Sequence, residues 1–486
     1  MLRRIITHEL RLLARDKVVW LIVVFFAAAI GYAVLSRSVE VSNGRENIKE
    51  WPAIFERNAE RHKKTLIDIE RKIQAGEMKD DPTVYDARNP RWIVNQMAAT
   101  VALTPAPLAV LAVGRSDLDT PAYKINAFGS VEPGREQTDY PLRSLVGHFD
   151  LAFVMLYLFP LFILGLSFNL ISAEKETGTL TLLLSQPVSL RTLVMGKALA
   201  RALIIFGSAL LFTTIALLFS GVEFADPLVL TGLLLWLVAI FAYGAFWFGL
   251  ALIVNLRSSS SASCALVLLI GWFALAILIP GSINLVAALA YPVPSRIEFI
   301  DARRAATLEI SREKEKAGER IDEFLLQHPE FPGGQKYSQV ALNYMGVAQR
   351  DVERKKRMEP ITSRFDKQLN GQRALTKYLS ILSPLTVTQS LLPEIAGTGR
   401  LRHQSYLSQL DQTWLRLREF IWPKVLFDQR LAPGDYDLIP RFRFVEPSTA
   451  FSREVYQPFF LLVFQTLLAV CVGMGILARA RGGLFS

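Results

Sequence analysis

The sequence predicts an all-α polytopic membrane protein with six transmembrane helices and two large, mostly helical segments outside the membrane. Three observations predict it. Of the 486 residues 51% are hydrophobic and 20% charged, with a mean hydropathy of +0.29. That is too apolar for a soluble enzyme of this length and too polar for a chain made of membrane helices alone. Six stretches, 18–36, 151–172, 202–221, 227–254, 262–286 and 457–478, hold no Asp, Glu, Lys or Arg, and each has at least 19 residues. About 20 are needed for a helix to cross the hydrocarbon. Finally, Lys and Arg flank alternate span ends, as a threaded chain requires.

Residues 1–17 precede the first span and project as an amphipathic helix. Leu2, Ile6, Leu10 and Leu13 form one face, and Arg4, His8, Arg11 and Arg15 the other. Such a helix fits the cytoplasmic headgroup layer, or is simply a basic flank of the span. Basic residues recur at Lys175, Arg191, Lys197 and Arg201, at Arg257, and at Arg479 and Arg481. The 222–226 loop has two acids and no base. Both termini are therefore expected in the cytoplasm, with 37–150 and 287–456 outside. The first span is longer than a signal h-region and is read as an uncleaved anchor.

The first outer segment reads as a helix over 52–75, with Pro52 at its first position, followed by an irregular Pro/Gly-punctuated part. Residues 97–114 are uncharged, yet Thr104, Pro105 and Pro107 interrupt them, so a packed or interfacial segment is favoured over a seventh span. The second outer segment reads as helices over 299–327, 337–370 and 403–424, with a turn cluster at 327–334. Leu407, Leu410, Trp414 and Leu417 recur at the helical period.

The formal charge of +10 is explained by the span flanks, so no nucleic-acid partner is expected. Cys264 and Cys471 both lie within spans, which leaves no disulfide framework for the outer parts. His8, His62, His148, His328 and His403 show no metal-ligand spacing, and neither H-E-x-x-H nor G-x-S-x-G occurs. No catalytic or metal residues are assigned. Asn169, Asn284 and Gln465 are the largest polar residues in the spans and fit either a pathway or helix packing. Pro160 and Pro280 are candidate kinks. No span centre carries a charge, which argues against an ion-coupled transporter.

The most informative loop is 171–203. It is charged at Glu174, Lys175 and Glu176, apolar at Leu180, Leu182, Leu183 and Leu184, and turns at Gln186 and Pro187, and Ser189 is placed to cap a helix entering the third span. A short amphipathic element of this kind either transmits motion to a soluble partner or is a re-entry that only packs. Its sequence, SAEKETGTLTLLLSQPVSLRTLVMGK, resembles the signature loop of ABC-2 type transporter permeases. The match falls on Glu174, Glu176, Gly178, Thr179, Leu180, Leu183, Leu184, Pro187, Gly196 and Lys197. The outer segments resemble a subgroup of that family with large extracytoplasmic insertions, through PLAVLAVGRSDLDTPAYKI at 107–125 and YPVPSRIEFIDARRAATLE at 291–309.

The resemblance implies a half-transporter in a bacterial inner membrane, paired with a second permease subunit, identical or not, and driven by a separate cytoplasmic ABC ATPase. Glu174, Glu176, Gly178, Thr179, Leu180, Leu183, Leu184 and Pro187 would form the coupling helix, and 1–17, with Arg4, Arg11 and Arg15, the interfacial helix. ATP and Mg would be bound by the partner and no cofactor by this chain, which has no G-x-x-x-x-G-K-[ST] phosphate loop. Export is the expected direction. The alternative is a non-transporting scaffold or mechanotransmission subunit whose outer domains bind a periplasmic partner.

Overall fold

The computed structural model describes residues 2–81, 84–96, 99–114, 122–125, 132–133, 149–313, 316–329, 337–427, 429–447 and 452–479. Among them six helices are long and apolar enough to cross a membrane: Lys17–Gln74, Leu151–Glu176, Leu190–Leu218, Pro227–Arg257, Ser261–Ala290 and Arg453–Arg479. Five contain a whole uncharged stretch, and the third, ending at Leu218, covers all but the last three residues of 202–221. The chain is a multi-pass, all-α membrane protein.

Helix α1 (Leu2–Arg15) meets helix α2 (Lys17–Gln74) at an elbow, where the Asp16 side chain accepts the Val18 N–H. The expected helix start at Pro52 is corrected: α2 runs unbroken through it for 58 residues, about 87 Å. Pro52 lies on the exposed face, where water can reach the Ile48 carbonyl that loses its partner. The second and fifth spans share a device. Each has a π-helical turn, Val154–Leu158 or Ala274–Leu278, immediately before its proline-bearing segment, Phe159–Ser167 or Ile279–Ala290. The wider turn makes room for the rings of Pro160 and Pro280.

The main core joins all six spans, the fifth through Ala276. Phe26, Ile30, Phe159, Ile163, Ile205, Trp236 and Leu462 are buried in it. It also takes in 108–112 and a helix absent from the sequence reading, Pro384–Ala396, whose Leu385, Leu391 and Leu392 are fully buried. Thirteen residues are too few to span, and helix-breaking prolines mark its ends, so no local signal separates this helix from a loop. Ser383 caps its start, and Gly397, at φ +74°, ends it. Residues 103–114 hold no helix. Their carbonyls are satisfied by the chain instead: Arg37 donates to Ala109 at 3.3 Å, Arg45 to Ala106 at 3.2 Å, and the Ala152 N–H to Leu111 at 3.0 Å.

The two outer segments form one domain. Leu66, Ile93, Leu103 and Ile125 of the first pack with Tyr406, Leu410, Leu417 and Ile421 of the second. Helix α3 (Pro90–Gln96) and a small antiparallel sheet, β1 (Ala99–Ala102), β2 (Ala122–Ile125) and β3 (Glu132–Pro133), belong to it, with Val101 opposite Tyr123 and Tyr123 opposite Pro133. The second segment supplies Arg296–Arg312, Ala317–Gln327, Gln339–Leu379 and Arg400–Leu426. The single helix expected over 299–327 is thus corrected to two. The buried Arg320 fixes the break by donating to the Ile310 and Glu313 carbonyls at 3.2 Å each. The helix expected over 337–370 runs on to Leu379 through Pro360. The turn cluster at 327–334 falls mostly outside the described residues.

Candidate coupling site

The second span ends in three short pieces. A turn at 168–171 follows Phe159–Ser167, then come the helices Ser172–Glu176 and Thr179–Leu184. Gly178 sits between them at φ +69°, in the left-handed region that a side chain would strain. Ser189 accepts the Thr192 N–H and caps the third span, as the sequence suggests.

Two charges on the first short helix clamp it to neighbouring helix ends. The Lys175 ammonium donates to the carbonyls of Asn255, Leu256 and Ser258 at 3.1, 2.7 and 3.1 Å. These lie at the C-terminal, partially negative end of the fourth span. Glu176 accepts the Ser261 N–H at 2.9 Å, at the partially positive start of the fifth. Adjacent residues of opposite sign therefore hold both sides of the 258–260 turn. Beneath them Asn255 is fully buried. Its oxygen accepts the Ile171 N–H at 3.2 Å, and its amide donates to Ser167 and Ala251 carbonyls at 2.8 and 2.9 Å.

A second cluster ties in α1. Glu174 pairs with Lys197, and Lys197 also lies 3.6 Å from Glu9. Arg201 reaches Glu9 at 3.0 Å, the Asn169 amide oxygen at 2.6 Å and the Leu166 carbonyl at 2.7 Å. Two acids and two bases thus balance at a site where Glu9, Lys197 and Arg201 are nearly inaccessible. Gly196 lets α1 approach, because a Cβ there would stand 2.7 Å from the Ile5 Cγ2. Arg4, Arg11 and Arg15 face away from this contact and are exposed.

The structure therefore brings Glu174, Glu176, Asn169 and α1 to one end of the bundle. Glu174 is half-buried, Glu176 is exposed although it accepts the Ser261 N–H, and Leu180 is buried; the exposed tip consists of Leu182, Leu183, Ser185, Gln186 and Pro187, with Leu184 half-buried beside it. Leu182, at 73% exposure, is the most open apolar side chain there. Gly178 and Thr179 form the exposed turn above it. Gln465 and Asn284 are elsewhere: Gln465 donates to the Ile381 carbonyl at 2.8 Å, and Asn284 is exposed on the fifth span. Sequence reasoning did not single out Glu9, Asn255 or Arg201 as site residues. Glu9 has a local signal, a lone acid among five bases in an amphipathic helix; Asn255 sits one residue past an uncharged stretch and has none.

Six spans, with a charge-clamped loop carrying an apolar tip at one end of the bundle, define the class, a multi-pass membrane protein. A family model described as ABC-2 family transporter protein matches residues 3–478, and the chain belongs to that family. It is accordingly a permease component of an ABC transporter and not its ATP-hydrolysing subunit. Comparisons with curated proteins and with solved structures find no match.

Proposed function

We propose that this chain is the transmembrane half of an ABC exporter, driven by a separate cytoplasmic ATPase that docks on the 177–187 tip. The observation that carries the reading is the bracing of that tip. Lys175 and Glu176 fix its root to the fourth and fifth spans, and Glu174 and Lys197 fix it to the third span and α1. A push on Leu182 and Leu183 is therefore delivered to several spans together rather than dissipated in a loose loop. In this reading both termini and α1 lie in the cytoplasm of a cell with an inner membrane, and ATP and Mg stay on the partner.

A second permease subunit, identical or not, completes the pathway. The fifth span supports this: only 17% of its apolar window is buried, against 67% for the second. Leu266, Ile270, Phe273 and Leu285 present an apolar face to lipid or a partner. The outer domain rearranges with the spans.

The test is co-purification with the cognate ATPase in nanodiscs, followed by hydrolysis and vesicle-transport assays. Leu182→Asp with Leu183→Asp should abolish complex formation and stimulated hydrolysis while leaving the thermal unfolding of the permease alone unchanged. Retention of both activities would remove the coupling role. ATP-dependent complex activity without movement of any solute would favour a mechanotransmission subunit instead.

A further inference from the structure

The outer domain holds a cavity of about 380 Å³, within the range of small-molecule sites. One wall is α2, through Trp51 and Phe55. A second is β1, through Val101, and a third is the helix Arg400–Leu426, through Leu417. The fourth is the extended segment 439–446, which turns Phe442 and Phe444 toward the Tyr406 ring. The interior is apolar and aromatic, and the charges lie at its rim.

Glu56, Glu446, Arg441 and Arg443 line it and balance in number, but they do not all pair with one another. Arg441 pairs with Glu56 at 2.8 Å, and Glu446 pairs with Arg402 at 2.5 Å. Arg443 also lines the cavity, and among the described residues no carboxylate lies within ion-pair distance of it. Arg402, which lies outside the lining, takes Glu446 and so leaves Arg443 as a rim guanidinium with no carboxylate partner among the described residues, a donor fork matched to a single added carboxylate.

Backbone chemistry argues against an extended peptide. The Tyr406 hydroxyl occupies the Val101 carbonyl at 3.2 Å, and Gln409 occupies both the Val445 carbonyl and its N–H, at 2.8 and 2.9 Å. Neither extended wall offers a continuous ladder to an added strand. Position argues against a lipid held in the bilayer. Trp51 lies roughly 50 Å along α2 from its start, well past a hydrocarbon layer of about 30 Å.

We propose that this cavity binds a small amphipathic carboxylate entering from water, with its apolar body among Trp51, Phe55, Leu417 and Phe442 and its carboxylate on Arg443. The walls are carried by α2, which continues from the first span, and by the segment that leads into the last. An occupant therefore bridges the extensions of two spans beyond the membrane. The inference is independent of the coupling reading, since its test uses no ATPase and no transport.

The measurement is equilibrium binding of radiolabelled decanoate to the full-length protein in nanodiscs, with decanol as the uncharged control and empty nanodiscs subtracted. Wild type should bind decanoate saturably, one molecule per chain. Arg443→Gln should weaken it at least about tenfold and leave decanol unaffected. Thr100→Trp, which fills the cavity from β1, should abolish both. Non-saturable uptake, or equal decanoate binding by wild type and Arg443→Gln, overturns the proposal. Arg443 is exposed and bonded to no described residue, so that variant decides the question even if Thr100→Trp does not fold.

Discussion

Arg201 of the third span holds Glu9 of α1 at 3.0 Å, and both side chains are buried. An amphipathic N-terminal helix is thereby fixed to the bundle by a charge pair and not only by its apolar stripe. Lys197 and Glu174 complete the cluster, so α1 and the root of the 177–187 tip share one electrostatic joint.

Removing one member of that joint should cost more than removing a pair. Glu9→Ala leaves Lys197 and Arg201 facing Glu174 alone, and loss of one partner from a buried ion pair costs roughly 3–5 kcal/mol. Glu9→Ala with Arg201→Ala should recover at least half of the loss. Thermal unfolding of the four proteins in one detergent gives the coupling energy. Additive single-mutant effects would show that the joint contributes little.

Gly196 sets the distance between α1 and the third span. Gly196→Leu should displace α1, because the added side chain would enter the space of Ile5. The six spans need not change. A cysteine introduced at Ile6 should then react with a water-soluble maleimide about tenfold faster, with rate and free energy related as usual. An unchanged rate would show that Ile5 repacks without moving the helix.

Pro160 removes the N–H that would have bonded to the Leu156 carbonyl, and the Tyr243 hydroxyl of the fourth span takes its place at 2.8 Å. In the fifth span a side chain likewise satisfies a carbonyl of the π-helical turn, though one residue earlier in register: Ser383 donates to the Leu275 carbonyl at 2.7 Å, five residues before Pro280. Tyr243→Phe should destabilise by about 1–3 kcal/mol, the cost of a buried acceptor left unmade. In a Pro160→Ala background, where the amide returns, the same substitution should cost less. Chemical denaturation in mixed micelles measures the difference.

The contact between the helices Ala317–Gln327 and Gln339–Leu379 should weaken in acid. Burial pulls Glu353 upward, but hydrogen bonds and charge from Arg320 and Arg357 outweigh it and hold its carboxyl below the usual range. A depressed carboxyl contributes stability that is complete above the unfolded value, about 4.3. That contribution is lost as pH falls through the lower folded value. Hydrogen exchange in the Gln339–Leu379 helix should therefore accelerate in wild type below about pH 4.3, and the slope should be shallower in Glu353→Gln. Equal slopes would assign the acid sensitivity to other carboxylates.

The spans, the amphipathic first helix and the Ser189 cap were legible because each depends on neighbours in sequence. Freedom from charge over a bilayer's thickness, a 3.6-residue stripe and one hydroxyl before a helix are local properties. The same rules misplaced the start at Pro52, since a proline on an exposed helix face costs one bond that water can replace. They passed over Pro384–Ala396, whose helicity comes from the spans packed around it. The candidate site divided in the same way. The 174–187 loop was visible as a pattern, but which of its residues face inward was not.

The sequence alone determined that this chain crosses a membrane six times and carries a charged loop with an apolar run, because hydrophobic run length and charge order are readable one residue after another. Tertiary structure decided that Glu9 meets Arg201 across 192 positions, that Lys175 and Glu176 grip two helix ends, and that two distant insertions share one core around Leu103 and Tyr406. Those pairings follow from the mutual fit and charge balance of segments far apart in the chain, and no local period records them.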